Sequence, residues 1–248
     1  LRFLRYYVLT TWGVTKLRED ELYDWFVKNE ARAGYAADPI AFVDRLQEAL
    51  DAYLAFFRGR ARDGGAEPAL ESISLLAGGS TRQHLIMLLA GRDLPIDIFR
   101  MLCKDTEALL FTYLITRQTN REFEVMFPEW APELAGVETL EQYEEFAERT
   151  LRRRRRELAP RFRREFAALN GQHLRQYQLR YVLAKLTQAV DLAAYGVTAE
   201  QLSRYCDGSN IHIEHILPQS PNDLVRAEFG EEADDPEVLW SIDKSCFG

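Results

Sequence analysis

Cysteine and histidine are scarce in this sequence, with three and four copies respectively among 248 residues. Cys103, Cys206 and Cys246 lie far apart with no C-x-x-C pair. That spacing argues against a disulfide framework and a conventional zinc module, and implies a reducing, cytosolic compartment. Long apolar runs are missing as well. No eighteen apolar residues follow one another, and the opening LRFLRYYVLTTWG is interrupted by arginines and offers no signal-peptide core or cleavage site. A membrane-spanning helix and a secreted chain are therefore not expected. The phosphate-loop pattern G-x-x-x-x-G-K-[ST] is absent too. The Gly78-Gly79-Ser80-Thr81 turn accordingly reads as an ordinary helix start with Ser80 and Gln83 in capping-box spacing, although such turns can bind anions. Internal repeats and low-complexity tracts are lacking.

What is present is enough apolar material for a core, 47% of residues with 14 Phe and 11 Tyr, in one large domain or two smaller ones. The first two hundred residues read as helices. In DPIAFVDRLQEALDAYLAFF, Asp38 caps, Pro39 takes the first helical position, and Val43, Leu46, Leu50, Tyr53 and Phe57 form the expected core stripe. TLEQYEEFAERTLRRRRREL opens on a Thr139–Gln142 capping box and is read as one helix buried through Leu140, Tyr143, Phe146 and Leu151. YQLRYVLAKLTQAVDLAAYG places Leu179, Val182, Leu183, Leu186 and Val190 together and ends at Gly196. Shorter helices are expected in ELYDWFVKNE, in STRQHLIMLLAGR and from Thr198, whereas AEPAL and MFPEWAPELAGV read as proline-bearing connections. His84 and His173 fall in helical patterns and are read as structural. The aromatic residues near the N-terminus, Tyr6, Tyr7, Trp12 and Trp25, are read as core rather than as a base-stacking platform.

Charge is unevenly spread. Residues 149–180 carry eleven Arg against two Glu, a net of +9, so the remaining residues carry −17 of the total −8. A cationic segment on an acidic body suits a polyanionic partner. Within Arg152 to Arg156, helical geometry lets Arg152, Arg155 and Arg156 share a face. They are candidates for the DNA backbone, against the plainer reading of a solvated helix balanced by acidic neighbours.

After Gly208 the texture changes. Ile211, Ile213 and Ile216 alternate with polar residues between DGSN and Pro218, which indicates a short strand. The PNDLVRAEFGEEADDPEVLW that follows reads as an acidic loop. NIHIEHILPQSPNDL holds half of the histidines within four positions, and Glu214 and His215 are adjacent where Pro218 ends the strand. A carboxylate ligates hard divalent cations, and a neutral imidazole can take a proton from water near neutral pH. Together they supply two parts of phosphodiester hydrolysis. The plainer reading is a strand-end histidine bonded to a carboxylate for structural reasons. A third reading combines Cys206, His212, His215 and Cys246 as a zinc site, in a spacing that matches no standard finger.

The stretch IEHILPQS resembles the first motif of HNH, or ββα-metal, nucleases. Its closer likeness is to the C-terminal nuclease domain of GmrSD-type modification-dependent restriction proteins and their SspE-like relatives in bacterial antiphage defence. The resemblance implies His215 as general base, Glu214 as metal ligand, and His212 as an upstream histidine of catalytic or phosphate-contacting role. It implies Mg²⁺ or a similar divalent cation, modified or phage DNA as substrate, a bacterial cytoplasmic setting, and nucleotide triphosphate hydrolysis in a further N-terminal domain with a D-G-Q-Q-R signature. Family members continue into a G-N-L-x-L-L strand and a later Asn or His that completes the metal site. The chain opens without methionine and stops at DKSCFG, so a piece of a longer protein, inactive by itself, is expected. The expected architecture is mainly α: a helical linker or effector domain over residues 1–208, then the beginning of a truncated ββα-metal unit over 209–248, with a homo-oligomer allowed. The alternative is a helical interaction module whose histidine motif is not catalytic.

Overall fold

A computed structural model describes residues 1–77, 82–196, 202–209, 211–215, 220, 222–230, 234–239 and 245–247. The fold is mainly α, and the chain divides into two compact units, Leu1–Ala159 and Pro160–Gly248. The change of texture at residue 208 falls inside the second unit. Thr198, Ile216 and Pro218, like the Gly78-to-Thr81 turn, lie outside the described residues.

The first unit is built from α1 (Arg2–Trp12), α2 (Leu22–Lys28), α3 (Glu30–Ala33), α4 (Pro39–Phe57), α5 (Pro68–Ala77), α6 (His84–Ala90), α7 (Ile96–Ile115), α8 (Phe123–Leu134), α9 (Leu140–Arg149) and the start of α10 (Leu151–Ala167). All seven residues of α6 are buried. A helix apolar on every side must be surrounded, and α1, α4, α7 and α8 pack around it. The expected cap of α4 is present, with the Asp38 carboxylate accepting from Ala41 N at 3.0 Å and Pro39 at the first position. Its buried face is not the expected stripe. Val43 is 55% exposed and Phe57 39%, while Ala49, Ala52 and Phe56 are buried. The spacing of the larger side chains names a helical face, but two alanines let α4 approach α6 closely, and helix separation depends on the side chains at the contact.

Two proline-bearing stretches expected as connections are helical. Pro68 opens α5, where its missing N–H costs nothing. Pro128 and Pro132 lie inside α8, each removing a helical hydrogen bond. Burial of Phe123, Phe127, Ala131 and Leu134 offsets that loss. Likewise, the helix expected to run unbroken from Thr139 is two helices. The Thr139–Gln142 capping box forms, but Thr150 at φ −120°, ψ −95° separates α9 from α10. The Thr150 hydroxyl donates back to the Phe146 carbonyl at 2.6 Å, a local bond that competes with continuation of the helix. Tyr143, Phe146 and Leu151 are fully buried, whereas Leu140 is exposed. α10 carries Pro160 in its interior, at the division between the units.

The second unit contains the end of α10, α11 (Gln176–Tyr195), α12 (Leu202–Cys206), β1 (Ile213–His215), α13 (Asp223–Phe229), α14 (Pro236–Leu239) and β2 (Ser245–Phe247). Leu179, Val182 and Leu183 of α11 are buried. Leu186 and Val190, expected in the same stripe, are exposed, so α11 buries this face only in its first half. The helix ends at Gly196, φ 65°, as expected. β1 and β2 pair antiparallel in the register Ile213↔Phe247, Glu214↔Cys246, His215↔Ser245, and α11 packs against α12 and β2. The stretch read as an acidic loop contains α13 and α14. Asn222 caps α13 by accepting from Val225 N at 3.0 Å, a cap strong enough to start a helix in a polar sequence.

Candidate functional site

Two sets of residues were singled out by the sequence, the arginines of α10 in the first unit and the histidine strand in the second. The arginines are engaged. Arg152 Nε donates to both Asp105 oxygens, at 3.0 and 3.2 Å, and its other nitrogens reach Glu144 and Glu148. Asp105, on α7, is buried, and also accepts from the Tyr143 hydroxyl at 3.0 Å. Burial pushes that hydroxyl far above its ordinary range, and the neighbouring carboxylate adds to the rise. Bonds to Glu144 and Asp105 raise the Arg152 guanidinium further.

Arg156 pairs with Glu148 and donates to its carbonyl at 3.0 Å. That guanidinium is the main reason the Glu148 carboxyl is held below its usual value. Arg155 Nη1 stands 3.9 Å from Asp105 Oδ1, and its Nε is buried with no hydrogen-bond partner among the described residues. Arg152, Arg155 and Arg156 thus share a face, as helical spacing requires, and that face meets Asp105, Glu144 and Glu148. Three cations opposite three carboxylates leave no net cationic footprint at that spot.

A parallel arrangement holds Arg154. Its Nε donates to the Tyr113 hydroxyl and its Nη2 to Glu122, both at 2.8 Å, while the hydroxyl donates to the same carboxylate at 2.7 Å. Burial and the Glu122 bond push the Tyr113 hydroxyl to about 12. A cavity of about 450 Å³ opens beside this cluster, between Val125, Met126 and Trp130 on one side and Arg149, Arg153 and Arg154 on the other. Those guanidiniums are met by Glu133, Glu157 and Glu122. Sequence reasoning missed Asp105, Glu122 and Tyr113. Asp105 had one signal, a carboxylate inside the apolar pattern MLCKDTEALL, where an unpaired charge would be costly.

The histidine strand is the opposite case. Glu214 lies in β1 with His212 just before it, and both are exposed. Neither side chain makes a hydrogen bond or ion pair among the described residues. Residues two apart share a face of an extended chain, so a carboxylate and an imidazole stand ready for the same ligand. His215 closes β1, paired with Ser245; its side chain lies outside the described residues. The donors suit a hard divalent cation in kind, but not in number: among the described residues no group of three or more His, Cys, Asp or Glu could hold a metal ion. Of the zinc alternative, Cys206 is partly buried on α12, and the Cys246 side chain is outside the described residues.

The other two histidines differ from these. His84 is fully buried on α6 with Nδ1 unpartnered among the described residues, and burial, aided by the Arg82 charge, lowers it to about 3. His173 is exposed in a short 3-10 turn, Gly171–His173.

No helix among the described residues is long and apolar enough to cross a membrane. No curated protein and no solved structure matches the chain. Residues 157–242, about a third of the chain and most of its second compact unit, match the family model described as GmrSD restriction endonucleases, C-terminal domain.

Proposed function

We propose that the protein takes part in metal-dependent cleavage of DNA phosphodiesters, in bacterial restriction of modified or foreign DNA. The carrying observation is that the family match encloses IEHILPQ, whose Glu214 is exposed on a strand with no side-chain partner among the described residues. Structural carboxylates are usually engaged, as Asp105 is. In this reading the second unit is an HNH-like, ββα-metal nuclease element of the kind found in GmrSD-type and SspE-like systems. Glu214 holds a divalent cation such as Mg²⁺, which when bound supplies positive charge to the phosphate. His215 takes the proton of the attacking water, and His212 contacts the phosphate or shares the proton transfer. Any use of nucleotide triphosphate belongs to a domain other than the two described, and the cell compartment is the bacterial cytoplasm.

The test is nicking of modified and unmodified plasmid by the full-length protein with Mg²⁺. Removing a general base costs about 10²- to 10⁴-fold, and His215→Ala should lose at least that lower amount. Undiminished nicking by His215→Ala would overturn the assignment. A second reading, a helical interaction module, draws on Val190, Leu192 and Tyr195 of α11, which are more than half exposed. It predicts that His215→Ala changes nothing while Val190→Asp abolishes self-association or partner binding.

A further inference from the structure

We propose that Arg180 is a positioning residue for the histidine strand, holding the chain that leads into β1 from the side of α11. Its functional half rests on the nuclease reading; its geometric half does not. Arg180 Nη1 donates to the Ile211 carbonyl at 2.5 Å. Ile211 directly precedes His212, and its own N–H donates to the Asp207 carbonyl at 3.0 Å. Asp207 Oδ1 accepts from Ser209 N at 2.9 Å and from Ser209 Oγ at 2.6 Å. The guanidinium also lies along Gly208, where an added Cβ would stand 3.7 Å from Arg180 Cζ and Nη2. One side chain therefore lies near one end of the turn between α12 and the strand and bonds its other end at Ile211.

The base of that side chain is firmly held. Leu179, Tyr181, Val182 and Leu183, its neighbours on α11, are buried, and the Tyr205 hydroxyl of α12 bonds Asp191 of α11. The strand has less of its own to hold it. Among the described residues β1 is three residues long and pairs with one strand of equal length, which packs against α11, and a two-stranded pairing alone is marginal in water. A charge-assisted bond, here to a partly buried carbonyl, is about twice as strong as a neutral one. Arg180 places that bond on the backbone carbonyl directly before His212 and three residues before Glu214. Displacing a reacting group by about 1 Å can cost about 100-fold in rate, so loosening this support should reach the chemistry.

The experiment combines hydrogen exchange with kinetics on the full-length protein. In Arg180→Met, amides of residues 207–215 should exchange at least about tenfold faster, with those of α6 unchanged, and kcat for plasmid nicking should fall about 10- to 100-fold while KM and its salt dependence stay. Arg180→Lys, which keeps a cationic donor, should recover much of both. Should Arg180→Met fail to fold, Arg180→Gln, which keeps only a neutral donor, takes its place: exchange at residues 207–215 faster than in Arg180→Lys supports the role, and exchange equal to wild type overturns it. Unchanged exchange overturns the inference. So does unchanged kcat, and so does a loss confined to KM with a shallower salt dependence, the mark of a phosphate contact. His215→Ala, run alongside, separates the two ideas: if it nicks like wild type the nuclease reading fails, and the exchange result alone then decides whether Arg180 holds the strand.

Discussion

The N-terminal half of α10 and the strand β1 both present charged or titratable residues that chemistry would assign to phosphate, yet they are used in opposite ways. Arg152 is only 21% exposed in its side chain and is shared among Asp105, Glu144 and Glu148. Glu214 and His212 are exposed and unengaged among the described residues. The difference teaches that a run of like charge measures composition, not available charge. Five consecutive arginines raise the net charge of a segment, but carboxylates brought from α7 and α9 cancel it locally. An exposed carboxylate beside an imidazole, with no side-chain partner among the described residues, is the more informative signal for function, because neither side chain is committed to packing there.

This contrast can be broken by mutation. The largest effect is expected at Asp105→Ala, which leaves Arg152 and the Tyr143 hydroxyl without their buried acceptor. Breaking a buried pair from one side costs about 3 to 5 kcal/mol, and urea denaturation should show a loss of about 3 kcal/mol or more. A loss below about 1 kcal/mol would mean the network is ornamental. Next, Arg152→Met should cost about 2 kcal/mol, since its carboxylate partners lose a charged donor. Arg156→Ala, four residues on and 59% exposed in its side chain, should cost no more than about 0.5 kcal/mol. Equal losses at the two arginines would erase the distinction between them.

A smaller effect separates the histidines by pH. Burial holds folded His84 at about 3 against an ordinary 6.5, so on acidification the unfolded chain binds a proton that the fold refuses. The stabilisation is complete above 6.5 and is lost progressively as pH falls towards 3. Glu148 and Glu157, held below their ordinary 4.5 by their arginine partners, lose their contribution only at lower pH. Stability measured between pH 5 and 6.5 therefore carries the His84 contribution. His84→Leu should flatten that part of the curve. Smallest of all, Glu214→Gln should change stability by less than about 0.5 kcal/mol while reducing nicking. A marked loss of stability would move Glu214 into the structural class with Asp105.

Several features were legible in the sequence because the bonds that make them span four residues or fewer. The Asp38 and Thr139 caps and the stop at Gly196 are of this kind; the strand Ile213–His215 was legible from its alternation alone, since its ladder partners lie at residues 245–247. Pro128 and Pro132 misled because their cost is local, whereas the compensating burial of Phe123 and Phe127 depends on helices distant in sequence. Leu140, Val43 and Val190 misled because periodicity identifies an apolar stripe without saying whether anything covers it. Of the candidate site, Glu214 and His212 could be named from the motif, but the exposure of their side chains, unpartnered among the described residues, could not.

By itself the sequence determined the helical class, the helix caps and the placement of a carboxylate between two histidines at one short strand, His212 just before it and His215 at its end. Only the tertiary structure decided that Ala49 and Ala52 face the core, that Arg152 meets Asp105 across 47 residues of chain, and that Arg180 reaches the carbonyl of Ile211. The reason is physical: capping and strand alternation are set by neighbouring backbone groups, whereas burial and ion pairing depend on which distant surfaces the packed helices bring together.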